Sequence, residues 1–190
     1  MTAASFALFD TAIGRCAIIW RDQAVIGTAL PEASNEKLRA AIARRFAGAT
    51  EAAPPSSITG AMEAIRRLLL GEPENFSSIA IDLEGVAAFE RRVLAAALRI
   101  PAGETRTYGD IAEALGAPGA ARAVGAALGR NPIPIIIPCH RVLAADGRSG
   151  GFSAPGGAST KLRLLEIEGA RRGSEPGLFE RLPWRTKPSA

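Results

Sequence analysis

The sequence predicts an α/β protein in two parts. The first is a small N-terminal α/β domain with an antiparallel sheet over residues 1–84. The second is a mainly helical domain over residues 85–169 with a winged helix-turn-helix-like motif, followed by a tail of residues 170–190. Three observations predict this. Short β-type runs separated by turn residues fill the first thirty positions. Helical periodicity dominates from Phe89 onward. Two short apolar helices joined by a Gly/Pro turn read as a helix-turn-helix.

Taken in order, Phe6-Ala7-Leu8-Phe9, Cys16-Ala17-Ile18-Ile19-Trp20 and Ala24-Val25-Ile26-Gly27 are the strands, with Asp10 to Gly14 and Arg21-Asp22-Gln23 as turns. Ser34 offers an N-cap to a helix carrying Leu38, Ile42 and Phe46 on one face and ending at Gly48. Residues 49–57, with Pro54-Pro55-Ser56-Ser57, read as a loop. A second helix carries Met62, Ile65 and Leu69 and stops at Gly71. Ile79, Ile81 and Leu83 alternate with Ala80 and Asp82, which predicts a further strand. After Glu84-Gly85 a helix from Phe89 to Ile100 ends at Pro101-Ala102-Gly103. Thr107 and Asp110 form a capping-box pair for the next helix, which runs through Ile111, Ala112 and Leu115 to Gly116. Beyond Ala117-Pro118 a third helix covers residues 119–129. Its side chains are small or aliphatic apart from Arg122, so the backbone can approach another surface while one long cation projects from it. The alternative, an Ala-rich core helix, would bury that cation at a desolvation cost. Ser159 or Thr160 then caps a helix with Leu162, Leu164, Leu165 and Ile167, ending at Gly169.

Composition narrows the function classes. With 47% hydrophobic and 22% charged residues among 190, the chain has ordinary soluble globular composition. No apolar run reaches the length of a membrane span, and Met1-Thr2-Ala3-Ala4-Ser5 does not resemble a signal peptide. Cys16 and Cys139 do not make a disulfide framework, and a single histidine argues against a structural zinc site. The expectation is a cytoplasmic protein, monomeric, with no membrane partner, no metal and no cofactor. Net charge is only +4, but it is unevenly spread. Residues 1–88 carry 8 basic and 10 acidic side chains, whereas residues 89–190 carry 15 and 9, mostly arginine. Arginine in that number suits phosphate contacts.

The basic half contains the chemistry. Residues 133–142, Ile-Pro-Ile-Ile-Ile-Pro-Cys-His-Arg-Val, read as a stiff buried strand bearing one cysteine and the lone histidine of the chain. By itself Cys139 could be a small core residue. An adjacent imidazole and a glycine-rich loop, Gly150-Gly151-Phe152-Ser153-Ala154-Pro155-Gly156-Gly157, instead suggest a nucleophile with a substrate wall. Glu166 and Glu168 stand in a last helical turn, where the helix dipole disfavours carboxylates unless a cation or hydrogen bond offsets it.

Pro138-Cys139-His140-Arg141-Val142 resembles the signature of the O6-alkylguanine-DNA alkyltransferases, the methylated-DNA–protein-cysteine methyltransferases. Residues 100–105, Thr107-Tyr108-Gly109, Arg122-Ala123-Val124-Gly125, Asn131-Pro132, and Leu164-Leu165 with Glu168-Gly169 resemble that family in the same order. The likeness is strong from Phe89 to Gly169 and weak before it. It implies single-turnover transfer of an alkyl group from guanine O6 in DNA to Cys139, which is DNA repair by direct damage reversal. His140 is then the base, acting through a water, and Glu168 holds it. The family spacing selects Glu168 over Glu166. A thiol pKa lowered by about 2 would make Cys139 mostly thiolate, a stabilisation of roughly 2.7 kcal/mol. The resemblance further implies that Tyr108 donates a proton to the leaving purine and that Phe152, Ser153 and Pro134 line the pocket. Asn131 braces the turn beneath. The partner is double-stranded DNA entered from the minor groove, with Arg122 replacing a flipped-out base and Ala121, Ala123, Gly125 and Thr107 along the DNA.

Three departures from the family stand out. Phe152 replaces a common tyrosine, the loop 153–157 is two residues longer, and Ala102 replaces a bulkier residue. Two other readings compete. An alkyltransferase-like damage sensor would lack the nucleophile that Cys139 supplies. A Cys-His-Glu hydrolase would need an oxyanion hole and would leave the basic helix-turn-helix without a purpose.

Overall fold

The computed structural model describes residues 3–145, 147 and 155–170. The first three runs form an antiparallel meander of β1 (Ser5–Thr11), β2 (Gly14–Arg21) and β3 (Ala24–Ala29). Tight turns and alternating side chains set the register, with Phe6 opposite Ile19 and Ile18 opposite Thr28. Helix α1 (Asn35–Arg45) starts at Ser34, whose side chain accepts from the Lys37 amide at 3.3 Å. Residues 49–57 are not all loop, because Thr50–Glu51 form β4, parallel to β1, and α2 (Ser56–Leu69) begins directly after Pro55. The sheet order is β3-β2-β1-β4. Proline immediately before a helix supplies a fixed φ and has no amide to leave unpaired, and this starts α2 earlier than apolar spacing suggests.

The strand expected at residues 79–83 is reduced to a single bridge between Val25 and Ile81. Val25 donates to Ala80 O at 2.8 Å, and Asp82 donates back to Val25 O at 2.9 Å. Asp82 then turns the chain by accepting from the Glu84 amide at 2.8 Å, which ends the pairing.

Alternation in β2 separates two cores. Ala17 and Ile19 join Phe6, Ile26, Leu38 and Ile42 beneath α1. Cys16, Ile18 and Trp20 face the other way, onto Ile58, Ile65 and Leu68 of α2. That second cluster continues into α3 (Ala88–Leu98) through Val93 and Leu94, into α5 (Ala121–Gly129) through Val124 and Leu128, and into Ile133 and Ile136. The two parts read from the sequence therefore share a continuous buried cluster.

The helix-turn-helix consists of α4 (Tyr108–Ala114) and α5. The capping box is present, with Thr107 Oγ1 accepting from Asp110 N at 3.0 Å and Asp110 Oδ2 accepting from Thr107 N at 2.7 Å. Helix α5 starts at Ala121 rather than at residue 119, because Gly119 lies in the turn at φ 86°. Just before α4, β5 (Arg106–Thr107) pairs in parallel with β6 (Val142–Leu143). The last helix, α6 (Gly157–Ile167), is capped by Gly156 in the left-handed region and not by Ser159 or Thr160. Those two hydroxyls lie in its first turn and donate to Gly156 O and Pro155 O at 2.7 and 2.6 Å. Among the described residues no helix is long and apolar enough to cross a membrane.

Gly27 has a steric role. A Cβ built there would lie 2.2 Å from Phe46 Cζ, so the ring closes directly over the bare backbone of β3. Gly27→Val is expected to cost about 1–3 kcal/mol through overpacking. For a chain of this size that lowers the calorimetric midpoint by roughly 3–10 °C.

Candidate functional site

Residues 133–142 do not form the predicted strand. Pro134 and Pro138 remove two amide donors, and the segment folds back on itself around the Asn131 side chain. Asn131 Oδ1 accepts from Ile133 N at 3.0 Å, and its Nδ2 donates to Ile137 O at 2.8 Å. Ile137 N donates to Ile133 O at 2.9 Å, closing the loop. Ile135 has φ 76°, a left-handed backbone that a β-branched residue adopts only when its surroundings dictate it. Pro138, at φ −81° and ψ 64°, is the centre of an inverse γ-turn in which Cys139 N donates to Ile137 O at 2.8 Å. A single 3-10 turn then spans Cys139–Arg141. Because this turn advances about 120° per residue, Cys139 and His140 do not point to opposite faces as they would on a strand.

Cys139 is 7% exposed and lines a cleft of about 480 Å³ together with Asn131, Pro134 and Pro155. His140 is fully buried and its Nε2 lies 2.8 Å from Glu168 Oε1. Glu168 is the C-cap of α6 with its side chain 1% exposed, whereas Glu166 is exposed. Arg141 clamps the same carboxylate, with Nε to Oε2 at 2.8 Å and Nη2 to Oε1 at 2.9 Å. Its Nη1 donates to Ile100 O at 2.5 Å. Arg141 thus supplies the cation that a carboxylate at a helix C-terminus requires. Burial alone would raise the Glu168 carboxyl, but hydrogen bonds and charge from His140 and Arg141 outweigh it and bring it down to about 2.

This fixes the imidazole tautomer. An ionised carboxylate can only accept, so Nε2 carries the proton and Nδ1 presents its lone pair. Among the described residues Nδ1 is buried with no hydrogen-bond partner. Burial also holds the His140 pKa below its ordinary value, against the pull of Glu168, so the ring is neutral near pH 7.

The thiol departs from the sequence expectation. Burial pushes the Cys139 pKa up, against the lowering pull of Asn131, the Lys161 charge and the amides of Cys139 and His140. The resting pair is a thiol and a neutral imidazole, and no standing low pKa ionises the sulfur.

Tyr108 begins α4, and the β5–β6 pair ties that start to the strand immediately after the 3-10 turn. It is half-buried, and burial together with the Cys139 charge raises its pKa, which keeps the hydroxyl protonated. Lys161, not singled out in the sequence, is 1% exposed. Its Nζ donates to Val142 O at 2.6 Å and lies 3.5 Å from the Tyr108 hydroxyl. Burial brings its ammonium down to about 8. The available signal was a charge at position 161 on the stripe shared by Leu164, Leu165 and Glu168.

The structure thus brings together Cys139, His140, Glu168, Tyr108, Asn131 and Pro134, and adds Arg141 and Lys161. Arg122 and Ala123 are exposed in the first turn of α5, and Ala121 is half-buried beside them. Thr107 is engaged in its cap. Gly125 faces the Tyr108 ring, where an added Cβ would meet Cε1 at 3.7 Å. Arg122, Ala121, Ala123, Gly125 and Thr107 lie outside the lining of the cleft. Phe152 and Ser153 lie outside the described residues, as does the tail from residue 171.

Comparison with known proteins finds relatives along most of the chain. Residues 88–170 match the family model for the 6-O-methylguanine DNA methyltransferase DNA binding domain. The methylated-DNA–protein-cysteine methyltransferase of Mycolicibacterium paratuberculosis is 40% identical over 171 residues, covering 90% of this chain and 96% of its own length. Its counterpart in Mycobacterium tuberculosis is 47% identical over 126 residues, 66% of this chain and 74% of the relative. The crystal structure of M. tuberculosis OGT in complex with DNA aligns with a TM-score of 0.70 at 37% identity, covering 86% of this chain and 92% of that one. The O6-methylguanine-DNA methyltransferase from the archaeon Pyrococcus kodakaraensis aligns at 0.68 and 31% identity, covering 87% and 99%. A helix-turn-helix beside a Cys-His-Glu constellation, matched by relatives along nearly the whole chain, leads to one conclusion: the chain belongs to the methylated-DNA–protein-cysteine methyltransferases, the family that repairs DNA by alkyl transfer.

Proposed function

We propose that the protein removes alkyl groups from guanine O6 in double-stranded DNA by transferring them once and irreversibly to Cys139. The observation that carries this reading is the chain of contacts Arg141–Glu168–His140, which ends in a bare Nδ1 on the residue next in sequence to a cysteine that lines a cleft. The thiol proton passes to Nδ1, through one bridging water, and the imidazolium is stabilised by Glu168. Arg141 keeps Glu168 anionic without taking the proton itself. The Cys139 sulfur then attacks the alkyl carbon, the S–C bond forms and the C–O6 bond breaks. The purine leaves after taking a proton at its ring from Tyr108, whose raised pKa supports its role as donor rather than anion. The imidazolium of His140 then gives up its proton and the Tyr108 phenolate regains one through solvent, so overall one proton moves from sulfur to purine and the acceptor is spent.

A guanine stacked in a duplex cannot reach this cleft, so the lesion is flipped out through the minor groove at a cost of a few kcal/mol. The exposure of Arg122 at the start of α5, among small neighbours, supports its insertion where the base was. Ala121, Ala123, Gly125 and Thr107 are the neighbouring DNA-side positions. The resemblance to the family implies pocket roles for Phe152 and Ser153, and the reading takes the protein as a monomer acting in the cytoplasm.

Intact mass measurement after mixing with an O6-methylguanine duplex should find one methyl on Cys139, with equimolar protein repairing equimolar lesion. Turnover beyond one equivalent, or repair with Cys139 unmodified, would refute the reading. Arg122→Ala should slow duplex repair roughly 10- to 100-fold, the rate equivalent of a lost flipping contribution. Free O6-benzylguanine should react at nearly the original rate; equal losses on both substrates would remove Arg122 from base extrusion. Glu168→Gln should slow both reactions and also change acid stability. A carboxyl lowered from 4.5 to about 2 on folding contributes stability that is complete above 4.5 and lost as pH falls towards 2. That contribution is on the order of 3 kcal/mol, so urea midpoints measured down this pH range should fall less steeply for Glu168→Gln than for the parent protein.

A further inference from the structure

Part of the cleft that Cys139 lines is held from the N-terminal sheet. β3 is an edge strand, and its outer side meets the loop that leads to Cys139. Thr28 N donates to Pro132 O at 3.1 Å, and Thr28 Oγ1 donates to Pro134 O at 2.5 Å in a buried contact. Arg45, at the end of α1, donates from Nη2 to Pro132 O at 3.2 Å and from Nη1 to Thr28 O at 3.4 Å. Three hydrogen bonds that reach the loop from residues 87 to 106 positions upstream would be unremarkable on a rigid strand, but this loop is not one. Ile135, next to Pro134, is in the left-handed region, and its neighbours must over-determine that conformation for it to persist. Thr28, Arg45, Pro134 and Cys139 all line the same cleft.

We infer that Thr28, seconded by Arg45, is a positioning residue for alkyl transfer: by holding the carbonyls of Pro132 and Pro134 it fixes the cleft wall against which the substrate is presented to Cys139. The Thr28 side chain is 2% exposed, and Pro134 O has that hydroxyl as its donor, so removing the hydroxyl leaves a buried carbonyl unpaired. The loop then relaxes where its backbone is already strained, and Pro134 moves relative to sulfur. A shift of this kind slows a reaction that depends on near-attack geometry without touching the helix-turn-helix.

The inference rests on Cys139 as the acceptor, and its test separates the two. Thr28→Val removes the donor while keeping the shape, and Thr28→Ser keeps the donor. With free O6-benzylguanine and with an O6-methylguanine duplex, Thr28→Val should alkylate Cys139 about tenfold more slowly. Duplex affinity should stay within about twofold, and Thr28→Ser should recover most of the rate. Valine reacting at the parental rate, or serine as slow as valine, would overturn the inference while leaving Cys139 as acceptor. A parent protein that gains no alkyl group on Cys139 would instead overturn the reading beneath it. Should Thr28→Val fold poorly, Arg45→Met removes the outer donors from the exposed side. It should slow alkylation severalfold with an unchanged melting midpoint, and a parental rate for it would count equally against the inference.

Discussion

The Glu168 carboxylate is the constraint on which the site depends. It is buried at a helix C-terminus, where both desolvation and the helix dipole oppose its charge. It persists there because Arg141 binds it with two nitrogens and His140 donates the third contact. Each partner has a consequence. Arg141 keeps the proton off the carboxylate, and the ionised carboxylate dictates which imidazole nitrogen is left bare. Arg141 also reaches Ile100 O, which ties the 3-10 turn to the end of α3. One buried charge thereby fixes a tautomer, a turn and a helix end together.

Around this charge the backbone is arranged by short elements and not by long ones. Two residues of β5 against two of β6 bring the start of α4, and so Tyr108, to the turn that carries Cys139. Asn131 supplies with its side chain the pairing that the proline-interrupted segment cannot supply by itself. Lys161 donates to Val142 O from beneath and has the Tyr108 hydroxyl within reach. Each of these contacts joins elements that meet at the turn carrying Cys139, and the N-terminal sheet adds its own hold through Thr28 and Arg45.

Much of this was legible in the sequence, and the failures have physical causes. The meander was readable because alternation and turn residues agree in β1, β2 and β3. The capping box of α4 was readable because Thr107 and Asp110 stand at the required spacing. Glu168 was separable from Glu166 only by resemblance, since both fit the end of a helix, and only burial distinguishes them. Residues 133–142 depart from the expected strand because β-branched composition is a local preference, while two prolines and a side-chain amide decide where hydrogen bonds can go. The helix before Glu168 starts earlier than its hydroxyl residues suggest, because Ser159 and Thr160 are good caps in general but a left-handed Gly156 already ends the preceding turn. Arg141 and Lys161 were overlooked as site residues for a shared reason. A cation on an apolar stripe, or one inside a signature, declares its role only when its partner's position is known.

The outer rim of β3 has a consequence for how the chain can be divided. In the intact protein its free amides and carbonyls are covered by residues 80–82 and by the proline loop at residues 132–134. A fragment cut at the junction read from composition would keep the first cover and lose the second, presenting part of an unpaired ladder to solvent. Such a border invites a neighbouring chain to pair with it. The N-terminal piece made alone is therefore expected to self-associate, because the loop that leads to Cys139 also covers the open edge of the sheet.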